Sequence, residues 1–117
     1  MVILQGDIYW LHLSEPKGSE PGYSHPVVII SNDSFNISNI NTVSVVLLTS
    51  NQKWANIIGN VRLLKGEGNL PKSCIANITQ ITTINKSELG EKIGKLSNSK
   101  IEEIIAGINF YIKRRII

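Results

Sequence analysis

One cysteine, two histidines, two tryptophans and four prolines are all that this 117-residue chain carries of those types, and each scarcity closes a class of function. Cys74 alone cannot form an intrachain disulfide, so stability has to come from a packed core, and a reducing cytoplasm is the expected compartment. His12 and His25, together with the lone cysteine, cannot build a standard four-ligand zinc site. No metal and no other cofactor is expected. No apolar run approaches the roughly 18 residues of a membrane helix. The start Met1-Val2-Ile3-Leu4-Gln5-Gly6-Asp7 lacks the basic and then apolar order of an export signal. A phosphate-binding Gly-x-x-x-x-Gly-Lys-Ser/Thr and a dinucleotide fingerprint are both missing, and Lys65-Gly66-Glu67-Gly68 reads as a turn. Charge is thin as well, at 18% of residues and a net +3.

What is present suits one domain spanning 1–117. At 42% hydrophobic, a chain of this length buries roughly two-thirds of the surface it exposes when unfolded. The charge is unevenly placed. Residues 1–58 hold two Lys/Arg against four Asp/Glu, and residues 59–117 hold ten against five. A mildly basic second half fits a nucleic-acid partner without identifying one.

The local pattern is mostly that of strands. Residues 5–13 alternate Ile8, Trp10 and His12 with Tyr9, Leu11 and Leu13, as a half-buried strand does. Pro16, Gly18, Pro21, Gly22 and Pro26 then predict a loop over 14–25, longer than the usual connection of about 4–6 residues and so a candidate for function. Val27-Val28-Ile29-Ile30 predicts a buried strand, Asn32-Asp33-Ser34 a cap or turn, and Val43 to Leu48 the next strand. A second polar loop is expected over 49–60, a strand over 60–65, a turn at Gly66-Glu67-Gly68-Asn69, and a strand from Ser73 to Ile84. In that last segment Ile75, Ile78, Ile81 and Ile84 fall three apart. Thr79, Thr82 and Thr83 are β-branched, and a bulge restores the alternation. The final segment predicts a helix with a capping box from Ser99 to Glu102. Ile101, Ile104, Ile105, Ile108 and Tyr111 or Ile112 lie on one face, and Lys113, Arg114 and Arg115 sit at the C-terminal end, where the helix dipole favours cations. Five or so short strands closed by one helix make a small, mainly β barrel.

Several stretches, taken together, resemble the MazF/PemK family of toxins. They are Gly6-Asp7-Ile8-Tyr9-Trp10, Gly18-Ser19-Glu20-Pro21-Gly22, Pro26-Val27-Val28-Ile29-Ile30-Ser31-Asn32-Asp33 with Phe35-Asn36, and Leu48-Thr49-Ser50-Asn51. Gly59-Asn60-Val61, Leu70-Pro71-Lys72, Gln80-Ile81, Lys86-Ser87-Glu88-Leu89-Gly90 and Leu96-Ser97 continue the likeness over roughly 5–112. The resemblance implies an SH3-like barrel of the CcdB/PemK toxin type with a C-terminal helix, acting as a homodimer. It implies metal-independent, sequence-specific cleavage of single-stranded RNA to 2′,3′-cyclic phosphate and 5′-hydroxyl ends, restrained by a cognate antitoxin protein.

The same resemblance directs attention to particular residues. Thr49 matches a catalytic threonine of the family. The family's arginine, just before the proline that opens the second strand, is replaced by His25, and Ser24 stands where relatives often have another arginine. Two readings stay open. In one, His25 is the acid or base, since an imidazole exchanges protons near neutrality, Glu20 orients it, and Lys17, Lys53 or a basic residue of the second half supplies charge. In the other, cleavage is weakened and the chain is an RNA-binding or antitoxin-binding module. Ser19, Ser24, Ser50, Asn51 and Gln80, with Lys17 and Lys53, are the candidate RNA contacts, able to meet base edges and phosphates of a splayed strand. Trp54 suits base stacking or packing, and His12 reads as a surface residue of the first strand. A gyrase-directed poison on the same fold is a further alternative, less well matched because this chain ends Lys113-Arg114-Arg115-Ile116-Ile117 without a tryptophan.

Overall fold

A computed structural model describes residues 2–12 and 24–116. The central element is one curled, six-stranded antiparallel sheet: β1 Asp7–His12, β2 Ser24–Ile29, β3 Thr42–Thr49, β4 Val61–Leu63, β5 Cys74–Asn85 and β6 Leu89–Lys95, in the order β4-β5-β3-β2-β1-β6. A one-turn helix α1, Asp33–Asn36, joins β2 to β3, and the terminal helix α2 spans Asn98–Tyr111. Mainly β with a C-terminal helix is the fold expected from the residues. The barrel takes the form of a single curled sheet.

Alternation along the strands divides the core into two clusters. Ile8, Val28, Val46 and Leu48 point to one face with Leu63, Leu70 and Leu96, and Ile104 and Ile108 of α2 close over them. Tyr9, Leu11, Val27, Ile29, Val43 and Val45 form the other cluster. Each fully buried aliphatic side chain contributes roughly 1.5–3 kcal/mol. The period of two along β1, β2 and β3 is therefore what fixes the register. The helix lies close to the loop before β4: a Cβ on Gly107 would stand 2.2 Å from the Gly59 carbonyl oxygen.

The boundaries differ from expectation in ways the side chains explain. Strand β1 begins at Asp7 because Gly6 has φ +91°; Leu13 and residues 14–23, most of the expected loop, lie outside the described residues. Ser24 and His25 belong to β2, because their backbones face His12 and Leu11 of β1. Thr49 closes β3, and the polar stretch after it contains a 3₁₀ turn at Gln52–Trp54. The expected bulge is real. Val46 faces Ile81 but Leu47 faces Asn77, which leaves Ile78, Thr79 and Gln80 unpaired with β3. Helix α2 starts before Ser99, because Ser97 is its N-cap, accepting a hydrogen bond from the Lys100 amide. Lys113–Arg115 follow the helix rather than forming its last turn. Strand β6 was not expected. Glycine weakens a strand, yet Gly90 and Gly94 are what permits close packing here: a Cβ on Gly94 would stand 2.2 Å from the Gly68 oxygen. Among the described residues no helix is long and apolar enough to cross a membrane.

Candidate active site

Strands β1, β2, β3 and β5 end together at one rim of the sheet, and there the ladder opens. Proline has no N–H to give, so beyond Val27–Leu47 the β2–β3 pairing stops one residue short of Pro26. The two strand ends separate around an open pocket of about 280 Å³. Trp10, Pro26, Leu48 and Cys74 supply its apolar surface; Ser24, His25, Thr49, Ser50 and Lys72 supply its polar groups, and Pro71 completes the wall. Carried two residues past its last pair, the β2–β3 register sets His25 across from Thr49, both half-buried.

Four of the sequence-derived candidates, Ser24, His25, Thr49 and Ser50, thus line one pocket. The Thr49 hydroxyl oxygen accepts from the Asn51 amide at 3.2 Å, which leaves its own proton and a lone pair available. The Ser24 hydroxyl lies 2.5 Å from His12 Nδ1, which joins the pocket to the edge strand. His12 therefore has a partner that the sequence did not suggest.

The remaining candidates divide. Lys17, Ser19 and Glu20 lie outside the described residues. Asn51 stands just past the pocket, and its side chain caps the 3₁₀ turn, accepting from the Lys53 amide at 3.1 Å. Lys53 turns to Trp54 instead of the pocket, its ammonium 5.1 Å from the ring centre in a cation–π contact. Gln80 is exposed in the β5 bulge and does not line the pocket. That bulge has a structural task. Ile78 N donates to Asn60 Oδ1, and Asn60 Nδ2 donates to the Trp54 carbonyl and to Asn77 Oδ1, so the 50–60 loop is tied to β5.

Sequence reasoning assigned no role to Trp10, Pro71, Lys72 or Cys74. Only the Leu70-Pro71-Lys72 stretch and the basic bias of the second half pointed toward this wall. Burial pushes the Cys74 thiol up, and the neighbouring Lys72 charge opposes that rise in part. With its sulfur donating to the Lys72 carbonyl at 3.4 Å, Cys74 is a neutral packing group rather than a thiolate nucleophile. Tyr9 is likewise pushed up by burial and by Asp7, and it belongs to the core. Among the described residues no three His, Cys, Asp or Glu side chains gather in a way that could hold a metal ion.

The pocket therefore offers hydroxyl donors and acceptors, an imidazole and an ammonium around an apolar floor. That set can bind an anion, exchange a proton and stabilise developing negative charge.

Comparison with known proteins adds identity to this geometry. Residues 4–112 match the family described as PemK-like, MazF-like toxin of type II toxin–antitoxin system. Endoribonuclease MazF6 of Mycobacterium tuberculosis (strain ATCC 25618 / H37Rv) is 37% identical over 108 residues, 92% of this chain and 95% of that protein. Endoribonuclease MazF of Staphylococcus saprophyticus is 38% identical over 100 residues, 86% of this chain and 82% of that protein. Among solved structures, an endoribonuclease in complex with its cognate antitoxin from Mycobacterial species superposes with a TM-score of 0.77 at 22% identity, covering 97% of this chain and 98% of that one. A MazE–MazF complex (Form-II) from Deinococcus radiodurans gives 0.78 at 16% identity, covering 98% and 99%. At those identities the structures speak for the fold, and the sequence matches speak for descent. The chain belongs to the family of PemK-like, MazF-like toxins of type II toxin–antitoxin systems.

Proposed function

We propose that this chain is a metal-independent endoribonuclease that cuts single-stranded RNA and is held in check by a cognate antitoxin. The observation that carries the reading is the meeting of His25, Thr49, Ser24 and Ser50 around one pocket at the strand ends. Relatives named endoribonucleases and a relative solved with its antitoxin support it.

The chemistry follows from the groups present. The ribose 2′-hydroxyl attacks the adjacent phosphorus in line, the O2′–P bond forms and the P–O5′ bond breaks. A 2′,3′-cyclic phosphate and a 5′-hydroxyl result. One proton leaves O2′ and one arrives at O5′, and His25 is the pocket's proton-exchanging group. The Thr49 hydroxyl donates to a phosphoryl oxygen as charge gathers there. Ser24 and Ser50 hold the flanking nucleotides, and holding the attacking and leaving oxygens in line is itself a large part of the acceleration. Lys17, Ser19 and Glu20, which precede β2 in the sequence, complete the RNA contacts in this reading, with Glu20 orienting His25. Asn51 extends the path of the strand just past the pocket, and Gln80, exposed in the β5 bulge, lies off that path. We further propose that the chain is one domain that works in the cytoplasm as a homodimer.

The test is incubation of purified protein with a long, unstructured RNA in excess chelator, reading both ends of each product. Cuts at a recurring short motif with 5′-hydroxyl and 2′,3′-cyclic phosphate ends are expected. Folded protein that binds RNA or antitoxin but makes no cuts overturns the enzyme reading in favour of a binding module, with His25 in the arginine's place as the reason.

A further inference from the structure

A phosphorane intermediate carries more negative charge than the phosphodiester it comes from, and neutral hydroxyls with one imidazole are a weak match for it. The pocket needs a fixed cation. Among the described residues that line it, Lys72 is the one lysine or arginine. Four other lysines are occupied. Lys53 lies over Trp54, Lys86 Nζ donates to the Ser38 carbonyl, Lys92 pairs with the buried Asp7 at 3.3 Å, and Lys100 pairs with Glu103. Lys72 makes no ion pair with any described residue.

Its backbone is also well held. Leu70 and Cys74, on either side, are buried to 2% and 3% exposure. The Leu70 carbonyl accepts from Gly66 N at 2.9 Å, and Pro71 fixes the entering φ. Ser73 Oγ accepts from the Lys65 amide at 3.0 Å, and the Ser73 carbonyl accepts from Gln52 Nε2. The exposed Lys72 side chain therefore springs from a fixed point on the wall that faces β2 and β3. That its charge is felt at Cys74, on the pocket floor, agrees with this placement.

We propose that Lys72 is a catalytic residue of this chain, its ammonium contacting the non-bridging oxygens of the scissile phosphate and neutralising the charge that builds there. The lysine transfers no proton. In effect the positive charge that the β2 end lacks at Ser24 and His25 is delivered from across the pocket, by the segment leading into β5. The proposal rests on the endoribonuclease reading above.

The experiment compares wild type, Lys72→Met, Lys72→Arg and the distant control Lys113→Met in two assays. One is cleavage of the long single-stranded RNA in chelator. The other is binding of a 2′-O-methylated copy that cannot be cut. For Lys72→Met the cleavage rate falls about a hundredfold, the range seen when one charge-stabilising donor is lost. Affinity for the methylated RNA falls less than tenfold, Lys72→Arg recovers most of the rate, and Lys113→Met matches wild type. Wild-type cleavage by Lys72→Met overturns the proposal while leaving the enzyme reading intact. A fall in cleavage matched by an equal fall in binding also overturns it, since Lys72 then only holds RNA. If wild type itself cuts nothing, both readings fall together.

Discussion

The two ends of β3 carry similar residues and do opposite things. At the Thr42 end the polar groups close on one another. Ser44 Oγ meets Thr83 Oγ1 at 3.0 Å, Ser44 N donates to Ser31 Oγ, and Ser31 Oγ donates to Asn36 Oδ1 at 2.6 Å. Asn36 Nδ2 donates to the Ser31 carbonyl and to Asp33 Oδ1, which also accepts from Gln5 N. At the Thr49 end two pocket-lining groups keep bonding capacity: the threonine hydroxyl serves one weak bond, and Lys72 makes no ion pair with any described residue. Polar groups that satisfy each other around the buried Asn36 help to specify the fold. Polar groups left partly free beside an apolar floor are what a substrate needs. Serine, threonine and asparagine appear at both ends, so the difference lies in what each hydroxyl or amide meets.

Substitutions can break or sharpen that contrast. After Thr49 and Lys72, the largest effect is expected at His25. His25→Ala should slow RNA cleavage by at least tenfold, and more than Ser24→Ala does; equal rates for the two variants would place the proton exchange elsewhere. At the opposite end, Asn36→Ala should leave the Ser31 and Asp33 groups without their partner and cost about 2 kcal/mol. For a domain of this size that lowers Tm by roughly 6–12 °C, read by thermal unfolding, while cleavage well below Tm stays within twofold. Smaller again is the response of Cys74. A thiol pushed up by burial holds less thiolate at any given pH than a free cysteine. Alkylation at pH 8 should therefore run at under about a tenth of the rate seen in the unfolded chain; labelling as fast as in denaturant would mean that the pocket floor is open. The smallest expected effect is at Gln80, exposed in the bulge: Gln80→Ala should change cleavage less than twofold, and a larger loss would extend the RNA path along β5.

Much of this fold was legible because alternation and stripe are written in the residues themselves. Val43 to Leu48 reads as a strand from its β-branched, apolar run, and Ile101, Ile104 and Ile108 read as one helical face. The bulge in β5 followed from isoleucines spaced by three among β-branched threonines. Strand β6 was not legible, because Gly90 and Gly94 carry a propensity against strands; what overrides it is tertiary, the close approach of His12 and of the Gly68 carbonyl. The start of α2 was misplaced by two residues because Ser97 and Ser99 are both plausible caps, and only the Lys100 amide decides between them.

The site divides in the same way. Thr49 and His25 were singled out through their places in the family's pattern, and both line the pocket. Lys72 was missed because a lysine on an exposed turn looks like any other. Its place on the pocket wall appears only when the fold brings the segment before β5 across from β2. Lys53 shows the converse, a promising loop cation whose neighbour Trp54 takes it up locally.

The central claim is that the Thr49 end of β3 is a catalytic site and not a structural polar cluster. Thr49→Ala tests it most directly, with cleavage of chelated RNA and thermal unfolding measured on the same sample. The account predicts a cleavage rate at least a hundredfold lower, with Tm within a few degrees of wild type. A folded Thr49→Ala protein that cuts at the wild-type rate would contradict it.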